Sequence, residues 1–121
     1  MTKSILIIDD DEDMGDALFS FLKEENYSVR LASSGKQGLA VATGDVPQLI
    51  LLDWQMPQMG GQQVLVEIAA SDILKNVPVI LMSANVGNIP AECLKSRRHL
   101  CKPFDVEALV GLVAEVLAHS E

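Results

Sequence analysis

The sequence predicts an α/β fold in which five parallel strands alternate with five helices. The first observation behind this prediction is a set of short apolar runs that recur along the chain: Ile5–Ile8, Leu49–Leu52, Val79–Met82 and the weaker His99–Cys101. Such runs, when polar or turn residues bound them, are typical of buried strands. The second observation is that apolar residues between the runs recur at helical spacing. This alternation favours a parallel sheet with helices on both faces.

The first half of the chain contains two predicted strand–helix pairs. The strand Ile5–Ile8 leads into a helix with Asp11 or Asp13 as its N-cap, because a carboxylate there accepts hydrogen bonds from backbone N–H groups. The apolar side of this helix comprises five residues: Met14, Ala17, Leu18, Phe21 and Leu22. The second pair is the alternating strand Tyr27–Ala32 and a short helix over Gly35–Thr43.

The second half contains three further pairs. The strand Leu49–Leu52 precedes a third helix, which is marked by three apolar residues: Val64, Leu65 and Ile68. The strand Val79–Met82 precedes a short helix that we predict over Asn88–Arg98. The strand His99–Cys101 precedes a last helix with Asp105 as its cap. The apolar stripe of that helix comprises Val106, Leu109, Val110, Val113, Val116 and Leu117.

Five strand–helix pairs in 121 residues fit one domain, and we expect residues 1–121 to form it. The predicted topology is a flavodoxin-like α/β sandwich with strand order 2-1-3-4-5 and helices on both faces of the sheet. Hydrophobic residues make up 49% of the chain, which is enough to bury such a sheet on both faces.

Polar residues follow the predicted strands at the point where each strand ends. Asp9 and Asp10 follow the first strand, Asp53 follows the third, Ser83 follows the fourth and Lys102 follows the fifth. Ligands of open α/β sheets bind outside these carboxyl ends, so we expect the five side chains to form one site. Crowded carboxylates favour a hard divalent cation, and the neighbouring lysine favours an anionic substrate, of which phosphate fits best.

Composition excludes several classes of function. The net charge of −8 argues against direct nucleic-acid binding, and the one basic cluster, Lys95 with Arg97 and Arg98, is either a solvated face or a partner contact. No apolar stretch reaches the roughly 18–20 residues of a membrane helix, and the N-terminus has no signal-peptide pattern. The spacing of Cys93 and Cys101 matches no metal motif, so we expect reduced, buried thiols in a cytoplasmic protein.

Competing phosphate and metal motifs fail on their spacing. Asp9, Asp11 and Asp13 resemble the start of a calcium loop, but Met14 and Ser20 stand where that loop requires Gly and Glu. The chain contains neither a GxxxxGK[ST] loop nor a GxGxxG turn, so ATP and dinucleotide binding are disfavoured.

The strand-end residues resemble those of the receiver domain of two-component response regulators, the CheY-like family, over essentially the whole chain. The matching segments are Asp9-Asp10, Asp53 within Leu-Leu-Asp-Trp-Gln-Met-Pro, Ser83 within Leu-Met-Ser-Ala, and Lys102 within Cys-Lys-Pro-Phe. The resemblance implies that Asp53 accepts a phosphoryl group from the phosphohistidine of a histidine kinase or a histidine phosphotransfer protein.

The same resemblance implies roles for the remaining residues. Asp10 and Asp53 would bind Mg²⁺ through their carboxylates, Asp9 through water, and Gln55 through its backbone carbonyl. Ser83 and Lys102 would contact phosphoryl oxygens, and Ser83 would act as a switch by drawing the following loop toward the phosphoryl group. The Lys102-Pro103 bond resembles one that is cis in the family.

Two positions depart from the family pattern. His99 stands where a Tyr or Phe usually precedes the lysine by three residues, and Lys95-Ser96 replaces the usual Gly-Ala pair. His99 is either a half-exposed strand residue without a switch role or a group that makes the switch sensitive to pH, because histidine changes charge between about pH 5 and 8.

Three functions are compatible with this pattern. The first is a phosphorylation-dependent signalling module of a two-component pathway or phosphorelay, which is not an enzyme beyond its own phosphorylation and dephosphorylation and binds an unknown output protein. The second is a docking module of the same fold that does not use the phosphoryl chemistry. The third is an aspartate-nucleophile hydrolase, which would need a cap over its substrate. The complete set of strand-end residues favours the first.

Overall fold

The computed structural model describes residues 2–95 and 97–119 of the chain. The strands are β1 (Ser4–Ile8), β2 (Ser28–Ala32), β3 (Leu49–Asp53), β4 (Val79–Ser83) and β5 (Arg98–Cys101). The helices are α1 (Glu12–Glu24), α2 (Gly35–Gly44), α3 (Gly61–Ala70), α4 (Ala91–Lys95) and α5 (Val106–His119), with a 3₁₀ turn at Val86–Asn88. No helix within the described ranges is long and apolar enough to cross a membrane.

The strands form one parallel sheet in the order β2-β1-β3-β4-β5, which confirms the predicted topology. Ile8 lies opposite Leu52, and Leu52 in turn lies opposite Leu81. Ser83 lies opposite Cys101. This register brings the carboxyl ends of four neighbouring strands to one edge of the sheet.

Each face of the sheet packs against its own layer of helices. Leu6 and Ile8 of β1 join a cluster with residues of α2 and α3, whereas Ile5 and Ile7 join a second cluster with residues of α1 and α5. All five residues of β3 are buried. A strand buried on both faces has no polar side, which explains its continuous apolar run in the sequence.

Side chains cap three of the helices. Asp11 is the N-cap of α1, where its Oδ1 accepts a hydrogen bond of 3.2 Å from the Met14 backbone, so Asp11 rather than Asp13 fills this position. Ser34 caps α2 in the same way. Asp105 Oδ1 accepts a bond of 2.7 Å from the backbone of Ala108, which confirms the predicted cap of α5.

The predicted helix over Asn88–Arg98 is wrong in its bounds. The chain forms a 3₁₀ turn at Val86–Asn88, then a helix of only five residues, and Arg98 already pairs with Ile80 as the first residue of β5. Strand pairing therefore overrides the local helical pattern at this end. Ser96 of the departing Lys95-Ser96 pair lies outside the described residues.

The prediction of buried thiols is also wrong. Both cysteines are free, as expected, but Cys93 is half-buried and Cys101 is exposed. The cause is that β5 is an edge strand, and the short helix α4 covers little of it.

Candidate functional site

Asp9 lies directly after β1 and is almost fully buried, with 4% of its surface exposed. Both of its carboxylate oxygens have partners. Oδ1 accepts a hydrogen bond of 3.0 Å from the Asp11 backbone, and Oδ2 accepts one of 3.0 Å from Lys102 Nζ. The neighbouring Asp10 is exposed to solvent. One carboxylate of the pair is therefore fixed in place, and the other faces the surface.

Asp53 is the last residue of β3 and is 5% exposed. Its Oδ1 lies 3.4 Å from Lys102 Nζ and accepts a hydrogen bond of 3.4 Å from the Gln55 backbone. Lys102 thus contacts the carboxylates of two different strands. Its ammonium lies between Asp9 and Asp53 and stabilises both charges.

The loop after Asp53 is held tightly against the end of β3. The Trp54 backbone donates to Met82 O at 2.8 Å, and the Gly61 backbone donates to Trp54 O at 2.9 Å. A Cβ atom on Gly61 would lie 2.8 Å from Trp54 Cα and 3.1 Å from Asp53 O, so only glycine fits without a shift of the backbone. This close approach of α3 fixes the position of Asp53.

The carboxylates of Asp9, Asp10 and Asp53 form one cluster. Each offers an oxygen, and these oxygens all lie within 4.8 Å of one another. Carboxylate oxygens are the hard ligands that Mg²⁺ prefers in proteins, so the donor set fits this ion. Lys102 neutralises one of the three negative charges, which leaves a charge that a divalent cation would balance.

Two side chains of the cluster, Asp53 and Lys102, have shifted pKa values. Burial and the charge of Asp9 raise the pKa of Asp53 from its ordinary 3.8 to about 7, although the Lys102 ammonium lowers it. Burial lowers the pKa of Lys102, but hydrogen bonding to Asp9 and the charge of Asp53 outweigh this effect and raise it. The lysine therefore stays charged, while Asp53 ionises more readily once a cation offsets the repulsion between the carboxylates.

Ser83 ends β4 and is fully buried. Its hydroxyl donates a hydrogen bond of 3.0 Å to Asn85 O and accepts one of 3.1 Å from Asn85 N. Its carbonyl oxygen accepts a bond of 2.7 Å from the Lys102 backbone, which ties β4 to the segment after β5. The Lys102-Pro103 bond in that segment is cis, as the resemblance predicts.

The structure brings Asp9, Asp10, Asp53 and Lys102 into one cluster and places Ser83 at the end of the adjoining strand β4. Two other residues were predicted to take part in the site, Gln55 and His99. The Gln55 backbone contacts Asp53 through its N–H group, and the Gln55 side chain is exposed. His99 lies exposed on β5, opposite Leu81 of β4.

The sequence reasoning did not identify the hydrogen-bonding role of Asn85. Its side-chain Oδ1 accepts a bond of 3.0 Å from the Gly87 backbone, and the residue caps the 3₁₀ turn. The Asn-Val-Gly segment that follows Ser83 carried a usable signal, because asparagine two residues before glycine is typical of turns closed by the asparagine side chain.

Comparison with known proteins gives a consistent result. A family model described as the response regulator receiver domain matches residues 5–114. Sporulation initiation phosphotransferase F of Bacillus subtilis is 31% identical, and the alignment covers 97% of this chain and 95% of that protein. The transcriptional regulatory protein GlrR of Escherichia coli is 32% identical over 96% of this chain, but the alignment covers only 26% of GlrR. The chain thus spans nearly all of one relative and about a quarter of another.

Solved structures share the same fold. The receiver domain of the Francisella response regulator 1452 is 27% identical and has a TM-score of 0.87, with 99% of this chain and 100% of that chain covered. A putative response regulator from Chloroflexus aurantiacus is 24% identical and has a TM-score of 0.90, with 98% of this chain and 100% of that chain covered. The second likeness is evidence for the fold alone.

Proposed function

The chain belongs to the response regulator receiver domain family of two-component signalling, and on this premise we propose that Asp53 is its phosphoacceptor. The observation that carries the proposal is the position of Asp53, whose buried carboxylate ends β3 beside Asp9, Asp10 and the Lys102 ammonium. The donor is a phosphohistidine on a histidine kinase or a histidine phosphotransfer protein. The similarity to a sporulation phosphotransferase supports a place in such a phosphorelay.

The acidic cluster would hold the metal ion that this reaction needs. Asp10 and Asp53 would bind Mg²⁺ through their carboxylates, Asp9 through water, and Gln55 through its backbone carbonyl. The bound ion supplies positive charge that offsets the repulsion between the acceptor carboxylate and the incoming phosphoryl oxygens. The donor set supports this assignment, because three carboxylates converge and one ammonium neutralises only part of their charge.

The transfer itself requires little covalent work from the protein. An Asp53 carboxylate oxygen forms a bond to phosphorus while the bond from phosphorus to the donor imidazole nitrogen breaks, and the electron pair stays on that nitrogen. Lys102 donates to one phosphoryl oxygen, and the Ser83 hydroxyl donates to another. Catalysis is then mostly positioning and charge stabilisation. The chain is a signalling module, and its only chemistry is its own phosphorylation and dephosphorylation.

A donor protein can reach this edge of the sheet from the side of α1. A cleft of about 270 Å³ opens beside Asp9, between the start of α1 and the end of β2. Half of its eight lining residues are acidic, namely Asp9, Asp11, Glu12 and Asp16, and Leu31 adds an apolar contact. This surface suits a partner with basic and apolar groups around its phosphohistidine.

Phosphorylation changes the charge at the site and so switches the binding of an output protein. A phosphate ester adds about −1.5 to −2 charges at neutral pH. The Ser83 side chain would move toward the phosphoryl group, and the loop after β4 would move with it. We propose that His99 takes part in this switch, since it lies exposed on β5 three residues before Lys102. The reducing cytoplasm is the proposed compartment, which agrees with two free thiols, at Cys93 and Cys101.

One experiment separates this function from a docking module and from a hydrolase. The chain is incubated with Mg²⁺ and acetyl phosphate, and its intact mass is measured for the wild type, Asp53→Asn and the exposed-carboxylate control Asp13→Asn. We expect a gain of one phosphate in the wild type and the control, and none in Asp53→Asn. No gain in the wild type would favour the docking module, and steady turnover of varied phosphoesters would favour the hydrolase.

A further inference from the structure

A basic cavity lies at the amino end of the sheet, at the opposite end of the strands from Asp53. It has a volume of about 220 Å³ and lies where the turn before β4, the start of β5 and α5 meet. Its lining includes three cations, Lys75, Arg97 and Arg98, and the amide side chain of Asn76. The chain has nine lysine and arginine residues in all, so three of the nine line this one cavity. We call it the amino-end cavity.

The cations of this cavity differ from the basic cluster that the sequence indicates. Lys95 is close to Arg97 and Arg98 along the chain, but it lies exposed on α4 and does not line the cavity. Lys75 takes its place, because the turn after α3 leads directly into β4 and β4 pairs with β5. The fold therefore brings cations from two separate segments to one concave surface.

The Arg98 guanidinium is held in place by α5. Its Nη1 and Nη2 atoms donate hydrogen bonds of 2.8 and 3.3 Å to the two carboxylate oxygens of Glu115. A guanidinium has five N–H donors, so this pair uses two of them and leaves three for another acceptor. Because the planar group is already oriented, it loses little freedom when it binds a second anion, and its geometry matches that of phosphate oxygens.

Lys75 and Asn76 supply further donors from the turn before β4. The Lys75 ammonium lies 3.5 Å from Asp72, but both side chains are exposed, so this ion pair is weak and an anion can compete for the ammonium. Neither the side chain nor the backbone N–H of Asn76 makes a hydrogen bond within residues 2–95 and 97–119. These donors are therefore available to a ligand.

The cavity has a different chemistry from the cleft beside Asp9. Half of the residues that line that cleft are acidic, whereas none of the eight that line the amino-end cavity is. The carboxylates that pair with Lys75 and Arg98 lie outside its lining. Clefts for drug-sized ligands are typically about 300–1,000 Å³, so this smaller cavity suits a compact anion.

We infer that the amino-end cavity binds a diphosphate group, either free pyrophosphate or the diphosphate of a nucleotide whose base stays outside the cavity. The bound group accepts hydrogen bonds from Lys75 and Asn76 before β4 and from Arg98 at the start of β5. It thus connects two segments that share few buried contacts, and through Arg98 it also connects them to α5. This site is separate from Asp53, so the inference does not depend on the proposed phosphorylation.

The first experiment is an NMR titration of the ¹⁵N-labelled chain with pyrophosphate at low salt and in EDTA. EDTA keeps divalent cations away from both the pyrophosphate and the acidic cluster. We expect saturable shifts of the amide signals of Asn76 and Arg98, with a Kd below about 1 mM. If these signals do not move, or if the saturable shifts are confined to Asp53 and Lys102, the inference is wrong.

The second experiment repeats this titration with single-charge variants. Lys75→Gln and Arg98→Gln each remove one cation from the cavity, and the first leaves the pair of Arg98 with Glu115 intact. Each should weaken pyrophosphate binding about tenfold or more, because each removes a hydrogen bond between charged groups. Lys36→Gln is the matched control, since it removes an equal charge from an exposed position on α2. Equal weakening in all three variants would overturn the inference, because net charge alone would then attract the anion.

Two further ligands identify the source of the anion. ADP carries the same diphosphate group, so binding of ADP at least as tight as that of pyrophosphate would identify a nucleotide as the source, and weaker binding would identify the free anion. An oligoglutamate peptide represents an acidic segment of a protein. If this peptide shifts the signals of Asn76 and Arg98 and pyrophosphate does not, the cavity is a protein contact and the inference is wrong.

Discussion

The two halves of the carboxyl edge of the sheet are built with different rigidity. On the half formed by β1 and β3, Asp9 follows β1, Asp53 ends β3, the residues of both strands are almost all buried, and Lys102 connects the two carboxylates. On the half formed by β4 and β5, β4 itself is buried, but Ser83 at its end is bound to a short turn. Beyond that turn, α4 has five residues and none of them is buried, and β5 is largely exposed. The rigid half carries the proposed phosphoacceptor and metal ligands, and the loosely packed half carries the proposed signal.

This division has a physical reason. Metal binding and phosphoryl transfer require groups held within fractions of an ångström, which buried strands provide. A switch requires a segment with two arrangements of similar free energy, and such segments have few buried contacts. Four predictions test the comparison, from the largest expected effect to the smallest.

The first prediction compares one substitution in both halves. Leu51→Ala removes a fully buried side chain from β3 and should lower the free energy of unfolding by about 2–5 kcal/mol. Leu100→Ala removes a half-buried side chain of the same core cluster from β5 and should lower it by less than half as much. Urea unfolding at equilibrium measures both values. Equal losses would show that the two halves are equally well packed.

The second prediction concerns the pH dependence of the rigid half. In the folded chain the pKa of Asp53 is about 7, against an ordinary value of 3.8. Between these two pH values the folded state therefore keeps a proton that the unfolded state has lost. The resulting stabilisation, roughly a few kcal/mol at most, is present below about pH 4 and is lost as the pH rises through about 7.

Unfolding in EDTA from about pH 4 to pH 8 measures this loss. Asp53→Asn removes the titrating group, so its stability should change less over that range, and the variant should exceed the wild type in stability at the upper end. If the wild type became more stable toward pH 8, burial and the charge of Asp9 would not raise the pKa of Asp53 as described.

The third prediction concerns the Lys102 ammonium, which follows β5 and contacts Asp9 and Asp53 in the other half. Lys102→Met should slow phosphorylation by acetyl phosphate about 10- to 100-fold, because hydrogen bonds to charged groups contribute about 1.5–3 kcal/mol each. Lys75→Met is the control, since its ammonium pairs with Asp72 outside the site and is half exposed. Similar rates for the two variants would mean that Lys102 has no role in the transfer.

The fourth prediction addresses the loosely packed half alone. Beryllofluoride serves as the phosphoryl mimic, and the single tryptophan, Trp54, reports its binding by fluorescence. If His99 makes the switch sensitive to pH, the response should differ between about pH 5.5 and pH 8 in the wild type, and His99→Phe should reduce that difference. His119→Phe, which alters the other histidine of the chain, should retain it. An unchanged difference in His99→Phe would remove this residue from the switch.

The sequence was most informative where burial dictates the pattern. The apolar runs that end at Asp9, Asp53 and Ser83 identified the central strands, because a parallel strand buried on both faces must be apolar throughout. The parallel topology then implied that these residues share one edge of the sheet. The helix caps at Asp11 and Asp105 followed from equally local chemistry.

The features that escaped prediction depend on tertiary contacts. Arg98 belongs to β5 because it pairs with Ile80, and no local pattern reports that pairing. The exposure of Cys101 results from the position of β5 at the sheet edge. The high pKa of Asp53 depends on burial and on the charge of Asp9, which follows a neighbouring strand.

The most direct test of the account locates the phosphoryl group on the chain. After reaction with Mg²⁺ and acetyl phosphate, borohydride reduces an aspartyl phosphate to homoserine, and peptide mass spectrometry identifies the altered residue. We predict homoserine at position 53 and unaltered aspartate at Asp9 and Asp10. Homoserine at either of those two positions, with Asp53 unaltered, would contradict the assignment of Asp53 as the phosphoacceptor.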